Sequence, residues 1–198
     1  MLSLLEADGG RLLGALRLLL AEKGVVTPEE IAERIALTEQ ASPRRGAALV
    51  ARAWCDPGFR ALLLADGTAA AESLGIAMRG LPPLGVLENT AELHHLVVCT
   101  LCSCYPRAVL GYPPFWFKSA AYRARAVRDP RGLLAEWNTV LPEGQRIRVV
   151  DSTADYRWMV LPRRPAGTDG WDEERLAALL DEGHLIGVTV PAAAGAGA

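Results

Sequence analysis

Charge of one sign is not in excess here: 21 Lys+Arg face 23 Asp+Glu across 198 residues, a formal net charge of -2 with an isoelectric point near 6.0. Neither half carries a basic block, which argues against nucleic acid or an anionic membrane surface as a partner. Long uninterrupted apolar runs are missing too. The Leu-rich stretch from Met1 to Leu20 is interrupted by Glu6, Asp8, Arg11 and Arg17; its basic residues follow the apolar ones, and no small-residue cleavage site comes next. It reads as a surface or partner-binding helix, neither a signal peptide nor a membrane span, so a cytoplasmic protein is expected. Cysteine is sparse, four residues in all. In a cytoplasmic protein these are not a disulfide framework, and reduced thiols invite a metal or redox reading. No repeat of solenoid length is present. The 51% of hydrophobic residues is enough for a core in one or at most two domains.

The first third has helical periodicity. Leu2, Leu5, Leu12, Leu13, Leu16, Leu19 and Leu20 recur mostly at three- or four-residue steps, with a break expected at Gly9-Gly10 and a stop at Gly24. Thr27-Pro28-Glu29-Glu30 has the N-cap, first-turn proline and third-position acid that start a helix, marked further on by Ile31, Ile35 and Leu37. Ser42-Pro43 opens another, and Phe59 to Gly75 continues the pattern with an internal break at Asp66-Gly67. From Met78 the pattern changes. Gly80 to Gly85 is a turn-rich boundary, and Leu93 to Val98 reads as a strand. Helices are expected over Ala120 to Val127, Pro130 to Trp137 and Asp172 to Leu180. Strands are expected over Arg146 to Val150, Tyr156 to Leu161 and His184 to Val190, with a polar turn at Asp151 to Asp155 and a disordered tail from Pro191. The expectation is an α+β protein with a helical, partner-binding N-terminal arm over residues 1–80 and a metal-binding catalytic domain over 81–198.

Three of the four cysteines fall within Cys99-Thr100-Leu101-Cys102-Ser103-Cys104. Packing alone gives no reason to put three thiols in one short loop, although free cysteine often packs as a small hydrophobe. A zinc knuckle wants four ligands, usually as two distant pairs, and Cys55 stands alone. His94 and His95 adjoin the cluster and are read mainly as structural. A Cys-x-x-Cys dithiol stays open, but leaves the third thiol unexplained. Chelate geometry offers a sharper reading. A metal held by the Cys102 and Cys104 sulfurs can also take the backbone nitrogens of Ser103 and Cys104, closing two five-membered rings and one six-membered ring. Cys99 then supplies a thiolate on the axis and the sixth position stays free. Deprotonated amides need a strongly Lewis-acidic ion, trivalent iron or cobalt rather than zinc or magnesium.

The run Val98 to Pro106 resembles the metal claw of the nitrile hydratase alpha-subunit family. The similarity extends through Leu87-Glu88-Asn89-Thr90, Pro113-Pro114-Phe115-Trp116-Phe117-Lys118, Tyr122 to Arg125, Asp129 to Gly132, Asp151-Ser152-Thr153 and Leu161 to Trp171. The resemblance implies an α-β-β-α layering and, with Thr at position 100, non-corrin cobalt(III) in preference to iron(III). It also implies a plain thiolate at Cys99, a sulfinic acid at Cys102 and a sulfenic acid at Cys104. The implied reaction is hydration of a nitrile to an amide. Cys104, Ser103 and Tyr105 are the catalytic candidates, and Cys99, Cys102, Ser103 and Cys104 the metal ligands.

Arg107 stands where many family members carry Trp. It and Trp116 are expected to line the substrate pocket, with Glu88 as a supporting carboxylate. An arginine there leans toward two branches of the family, thiocyanate hydrolase and the nitrile hydratases acting on nucleoside nitriles such as toyocamycin. A non-catalytic metal carrier or assembly intermediate is the binding-protein alternative. Family members work with beta-type subunits, as one or two separate chains, whose arginines bond the oxidised cysteines; no residue of this chain is assigned that role. The arginines at 123, 125, 128 and 131 are expected on a solvated helix face, with a subunit interface as the functional alternative.

Overall fold

The computed structural model describes residues 2–193, the side chains of residues 2–8 and 37–39 excepted. The described chain forms two compact units, residues 1–40 and 41–198. Leu2, Leu5, Leu37 and the last five residues of the expected tail therefore lie outside what is described of side chains or backbone.

The first unit contains α1 (Leu2–Glu22) and α2 (Pro28–Glu39). Gly9-Gly10 does not break α1, since two glycines cost helix propensity without forbidding the conformation. The helix ends as expected at Gly24, whose φ of 63° is the left-handed conformation that glycine adopts cheaply. α2 starts on the expected reciprocal cap: the Glu30 amide donates to Thr27 Oγ1 at 3.1 Å and the Thr27 amide to the Glu30 carboxylate at 2.7 Å. Leu12, Leu13, Leu16, Leu18 and Leu19 are exposed along α1.

The second unit begins with α3 (Pro43–Cys55), α4 (Pro57–Ala65) and α5 (Gly67–Ser73). Asp56 closes α3 and caps α4 by accepting from the amides of Gly58 and Phe59, and Asp66 caps α5 through the Ala69 amide. The chain then forms β1 (Leu84–Glu88) and β2 (Leu93–Val98). The short α6 (Arg107–Leu110) and α7 (Phe115–Lys118) follow, then α8 (Ala120–Arg128), α9 (Pro130–Glu136), β3 (Arg146–Asp151), β4 (Arg157–Leu161), α10 (Glu173–Ala177) and α11 (Glu182–Ile186). β1 pairs in parallel with β4, Leu84 opposite Arg157, and β2 in parallel with β3, Val98 opposite Asp151. α4, α5 and α11 pack on the β1–β4 pair, α8 and α9 on the β2–β3 pair, and β2 meets β4 between them. The unit is thus layered helix, strand pair, strand pair, helix, within the expected α+β class.

Three expectations need correction. The boundary falls at Gln40/Ala41 and not near residue 80, because Leu49, Val50, Leu63, Ala70 and Ala71 of α3–α5 bury into the same core as Leu96, Val97, Met159 and Val160. The segment 184–190 is no strand. Asp181 and His184 form a capping box that starts α11, and Gly187 at φ 87° ends it. Finally, the turn-rich 80–85 stretch already contains the start of β1. Gly67 at the first turn of α5 lets that helix approach it, since a Cβ there would lie 2.5 Å from the Leu84 carbonyl oxygen.

Candidate metal centre

The claw loop leaves the C-terminal end of β2, where the parallel pairing of Val98 with Asp151 sets its neighbours. The Asp151 carboxylate accepts from the Thr100 amide at 3.0 Å and also from the Thr100 hydroxyl. On the other side Arg123 of α8 donates Nη1 to the carbonyls of Leu101 at 3.2 Å and Cys102 at 3.4 Å. The preceding residue, Tyr122, donates its buried hydroxyl to the Val97 carbonyl at 2.6 Å. An anion and a cation from two other elements therefore hold the loop. The Cys102 amide donates to the Cys99 sulfur at 3.3 Å.

The three sulfurs lie within 4.8 Å of one another, with Cys99–Cys102 at 3.6 Å and Cys102–Cys104 at 3.2 Å. None is disulfide-bonded. The spacing tests the ion. With metal–sulfur bonds of about 2.3 Å, two sulfurs at a right angle lie about 3.3 Å apart and two at a tetrahedral angle about 3.8 Å. The Cys102–Cys104 distance matches the right angle that a planar set of two sulfurs and two amides needs. No fourth Cys, His, Asp or Glu joins the group among the described residues, which disfavours a closed zinc knuckle. The donor set suits a trivalent ion.

Cys99 is 1% exposed and Cys104 7%, whereas Cys102 is exposed. Burial pushes the Cys104 thiol up to about 12, with the Arg157 charge opposing. Hydrogen bonds from the Cys104 and Cys99 thiols hold Cys102 below the ordinary thiol value.

Cys102, Ser103 and Cys104 form one wall of a cavity of about 370 Å³. Met78, Leu81, Leu84 and Val109 contribute apolar surface and Arg107 and Arg157 contribute charge. Arg107 is exposed, its guanidinium 5.5 Å from the Tyr112 ring centre. Tyr105 also lines the cavity, but its hydroxyl is buried without a hydrogen-bond partner, its ring sits edge-on to Phe117 at 4.9 Å, and burial raises its pKa. Trp116 is not on the cavity. It belongs to an aromatic cluster with Tyr122 at 5.0 Å and Trp137 at 4.8 Å. Glu88 is likewise absent from the cavity wall, and its carboxylate accepts from Arg60 at 2.6 and 2.8 Å. His94 and His95 are structural, as expected: His94 Nε2 is 2.7 Å from the Gly187 carbonyl, and the His95 amide donates to Asn89 Oδ1 at 2.7 Å.

The sequence reading missed Asp151, Arg123 and Arg157 as site residues. In the sequence Asp151 reads as the start of a polar turn, and Arg123 as part of a solvated helix face or a subunit interface. Their signal is the register: two parallel pairs bring the ends of β2, β3 and the start of β4 to one loop, and no spacing within the chain reports that.

Residues 9–189 match the family described as nitrile hydratase, alpha chain. The chain belongs to the nitrile hydratase alpha-chain family. It is 49% identical over 176 residues to the cobalt-containing nitrile hydratase subunit alpha of Pseudonocardia thermophila, covering 88% of this chain and 86% of the relative. To thiocyanate hydrolase subunit gamma of Thiobacillus thioparus it is 43% identical over 188 residues, covering 89% and 77%. A solved structure of an iron-type nitrile hydratase double mutant from Comamonas testosteroni Ni1 superposes with a TM-score of 0.82 at 44% identity, covering 95% of this chain and 92% of that one. Both metals and two enzyme types thus occur among relatives of similar identity.

Proposed function

We propose that this chain is the metal-bearing alpha-type subunit of a cobalt nitrile hydratase, converting a nitrile and one water into the corresponding amide. The observation that carries this reading is the triangle of three sulfurs, two of which, with Ser103 between them, form one wall of a cavity. Cys99, Cys102 and Cys104 would hold the ion through sulfur, and Ser103 and Cys104 through their backbone nitrogens. Cobalt(III) there supplies a Lewis acid that makes a nitrile carbon electrophilic. The family match with a cobalt-containing relative, together with Thr100, supports cobalt over iron.

The chain's own residues do the positioning. Asp151 and Arg123 fix the loop before any ligand arrives, so the donors need no rearrangement. The apolar wall of Met78, Leu81 and Leu84 limits water around a bound nitrile. Cys102 and Cys104 line the cavity whereas Cys99 does not. That difference supports oxidation of the first two, to sulfinic and sulfenic acid, with Cys99 left as thiolate. The sulfenic oxygen of Cys104 is then placed to take part in attack on the carbon or to orient the attacking water. Tyr105 acts as wall rather than proton donor, since its hydroxyl is buried.

A beta-type partner, as one or two chains, completes the enzyme in this reading. Leu101, within the claw loop, is 88% exposed and Phe115 of α7 85%, and the leucines of α1 are exposed as well. No helix among the described residues is long and apolar enough to cross a membrane; a cytoplasmic location is a separate part of the proposal. Thiocyanate hydrolysis is the second reading, favoured by Arg107 on the cavity wall.

The test is metal analysis with peptide mass spectrometry on the complex co-purified with its partner. About one cobalt per chain is expected, with two added oxygens on Cys102 and one on Cys104. Cobalt bound without turnover of any nitrile or thiocyanate by the assembled complex would make the chain a metal carrier.

A further inference from the structure

Ser152 is the first residue after β3 and is 1% exposed. Its amide donates to the Val98 carbonyl at 2.7 Å, which carries the β2–β3 ladder one step past the strand, beside the first claw cysteine. Its hydroxyl turns to the other strand pair and accepts from the Trp158 amide at 3.0 Å. That amide faces away from β1. The amide before it, of Arg157, donates to the Pro83 carbonyl at 2.9 Å, and successive amides of a strand point to opposite edges. One buried side chain thus joins the end of β3, where Asp151 holds the claw loop, to the start of β4. The cavity is bounded by the same two strand pairs: Cys102, Ser103 and Cys104 come from the loop after β2, whereas Leu84 and Arg157 are register partners on β1 and β4. Toward the other end of the strands Asn89 makes the corresponding link. Its amide donates to the Leu161 carbonyl at 2.9 Å, and its side chain accepts from the His95 amide at 2.7 Å.

We propose that Ser152 is a positioning residue that sets the span between the claw loop and the start of β4, and through it the size of substrate the cavity prefers. Ser152 does not line the cavity; it acts through the Trp158 backbone and so through Arg157 and Leu84. The inference rests on the hydrating role given above. Alanine at this position leaves the part-buried Trp158 amide without its acceptor, and an unpaired donor inside a protein is costly enough for the start of β4 to shift toward water. The claw loop keeps its own anchors, Asp151 and Arg123. The span therefore changes while the metal donors stay in place.

The test compares the assembled holo complex as wild type, S152A and S152T. Amide hydrogen exchange, resolved by fragmentation mass spectrometry, should find the Trp158 amide protected in wild type and exchanging about tenfold faster in S152A, with the segment Cys99–Cys104 unchanged. Cobalt per chain should be equal in all three. In kinetics, the ratio of kcat/KM for benzonitrile to that for acetonitrile should rise about fivefold in S152A, through KM more than kcat, because a looser span costs the small substrate its contacts and admits the larger one. S152T keeps the hydroxyl and should return both the exchange rate and the ratio toward wild type. A serine with only a structural role would lower thermal stability and leave the ratio fixed.

A ratio in S152A within about twofold of wild type overturns the proposal. So does an unprotected Trp158 amide in the wild-type complex, a result that needs no variant and keeps the test decisive if S152A does not assemble. Failure of the wild-type complex to hydrate either nitrile strikes the hydrating role instead; faster Trp158 exchange in S152A, with the claw loop unchanged, would still support the positioning.

Discussion

Asp151 gives the most direct test of how the loop is positioned. Its carboxylate accepts from the backbone and the hydroxyl of Thr100, immediately after the first claw cysteine. D151A removes both contacts without touching any donor to the metal. Each hydrogen bond to an ionised acceptor contributes about 1–2 kcal/mol when partly solvated, and both of these are exposed, so the pair amounts to about 2 kcal/mol. If that energy serves to hold the loop in its metal-ready form, the apparent cobalt affinity should fall about 30-fold. T100V removes only the hydroxyl contact and should give about half the free-energy effect. The double variant should cost no more than D151A alone, because Thr100 then has nothing left to lose. The assay is competitive chelation of cobalt from the assembled complex, with each variant checked for intact assembly. An affinity within twofold of wild type in D151A would refute positioning by this carboxylate.

Other outcomes follow from the same structure. C104S should abolish stoichiometric cobalt binding, because it removes a ligand and the proposed sulfenic oxygen together; unchanged metal content in purified protein would sink the claw. Burial holds both His94 and His95 below the usual histidine value. The unfolded chain therefore binds more protons than the folded one below about pH 6.5, and stability should fall as pH drops through that range. Urea midpoints from pH 7.5 to 5 would show this, with a shallower slope in H94N. G67A should destabilise by about 2 kcal/mol or more, read as a lowered unfolding midpoint, since the new methyl meets the Leu84 carbonyl and not a movable side chain. E88Q, by contrast, loses only an ion pair with a half-exposed Arg60, so a stability change under about 1 kcal/mol and unchanged metal content are expected.

What the sequence disclosed and what it concealed divide along a physical line. The sulfur cluster was readable because its three cysteines lie within Cys99–Cys104, and the chelate-ring sizes proposed for it are local arithmetic. Helix starts at Thr27 and Asp172 were readable for the same reason, since a cap acts over three or four residues, and the start after Ser42 from the first-turn Pro43. β1 and α11 were not. β1 is a five-residue strand that follows two prolines and contains Gly85, and α11 a five-residue helix whose Leu185 and Ile186, with Val188 just beyond, suit a buried strand equally well. Trp116 was misplaced because an aromatic beside a site looks the same in sequence whether it faces the cavity or the core.

Arg157 shows the limit most clearly. It falls between the family-like stretches Asp151-Ser152-Thr153 and Leu161 to Trp171 without belonging to either, and its neighbours Tyr156 and Trp158 read as ordinary strand. It reaches the claw only because β4 pairs with β1 while β3 pairs with β2, which sets the start of one strand beside the loop that follows another. A parallel pair requires a long crossover, so each such contact joins residues far apart in sequence. Arg157 lies 53 positions beyond Cys104. The ligands proposed for this centre are therefore a property of one short segment, whereas the charge around it is a property of the topology. Changes in the loop should alter which metal is held, and changes at the strand ends should alter which substrates reach it.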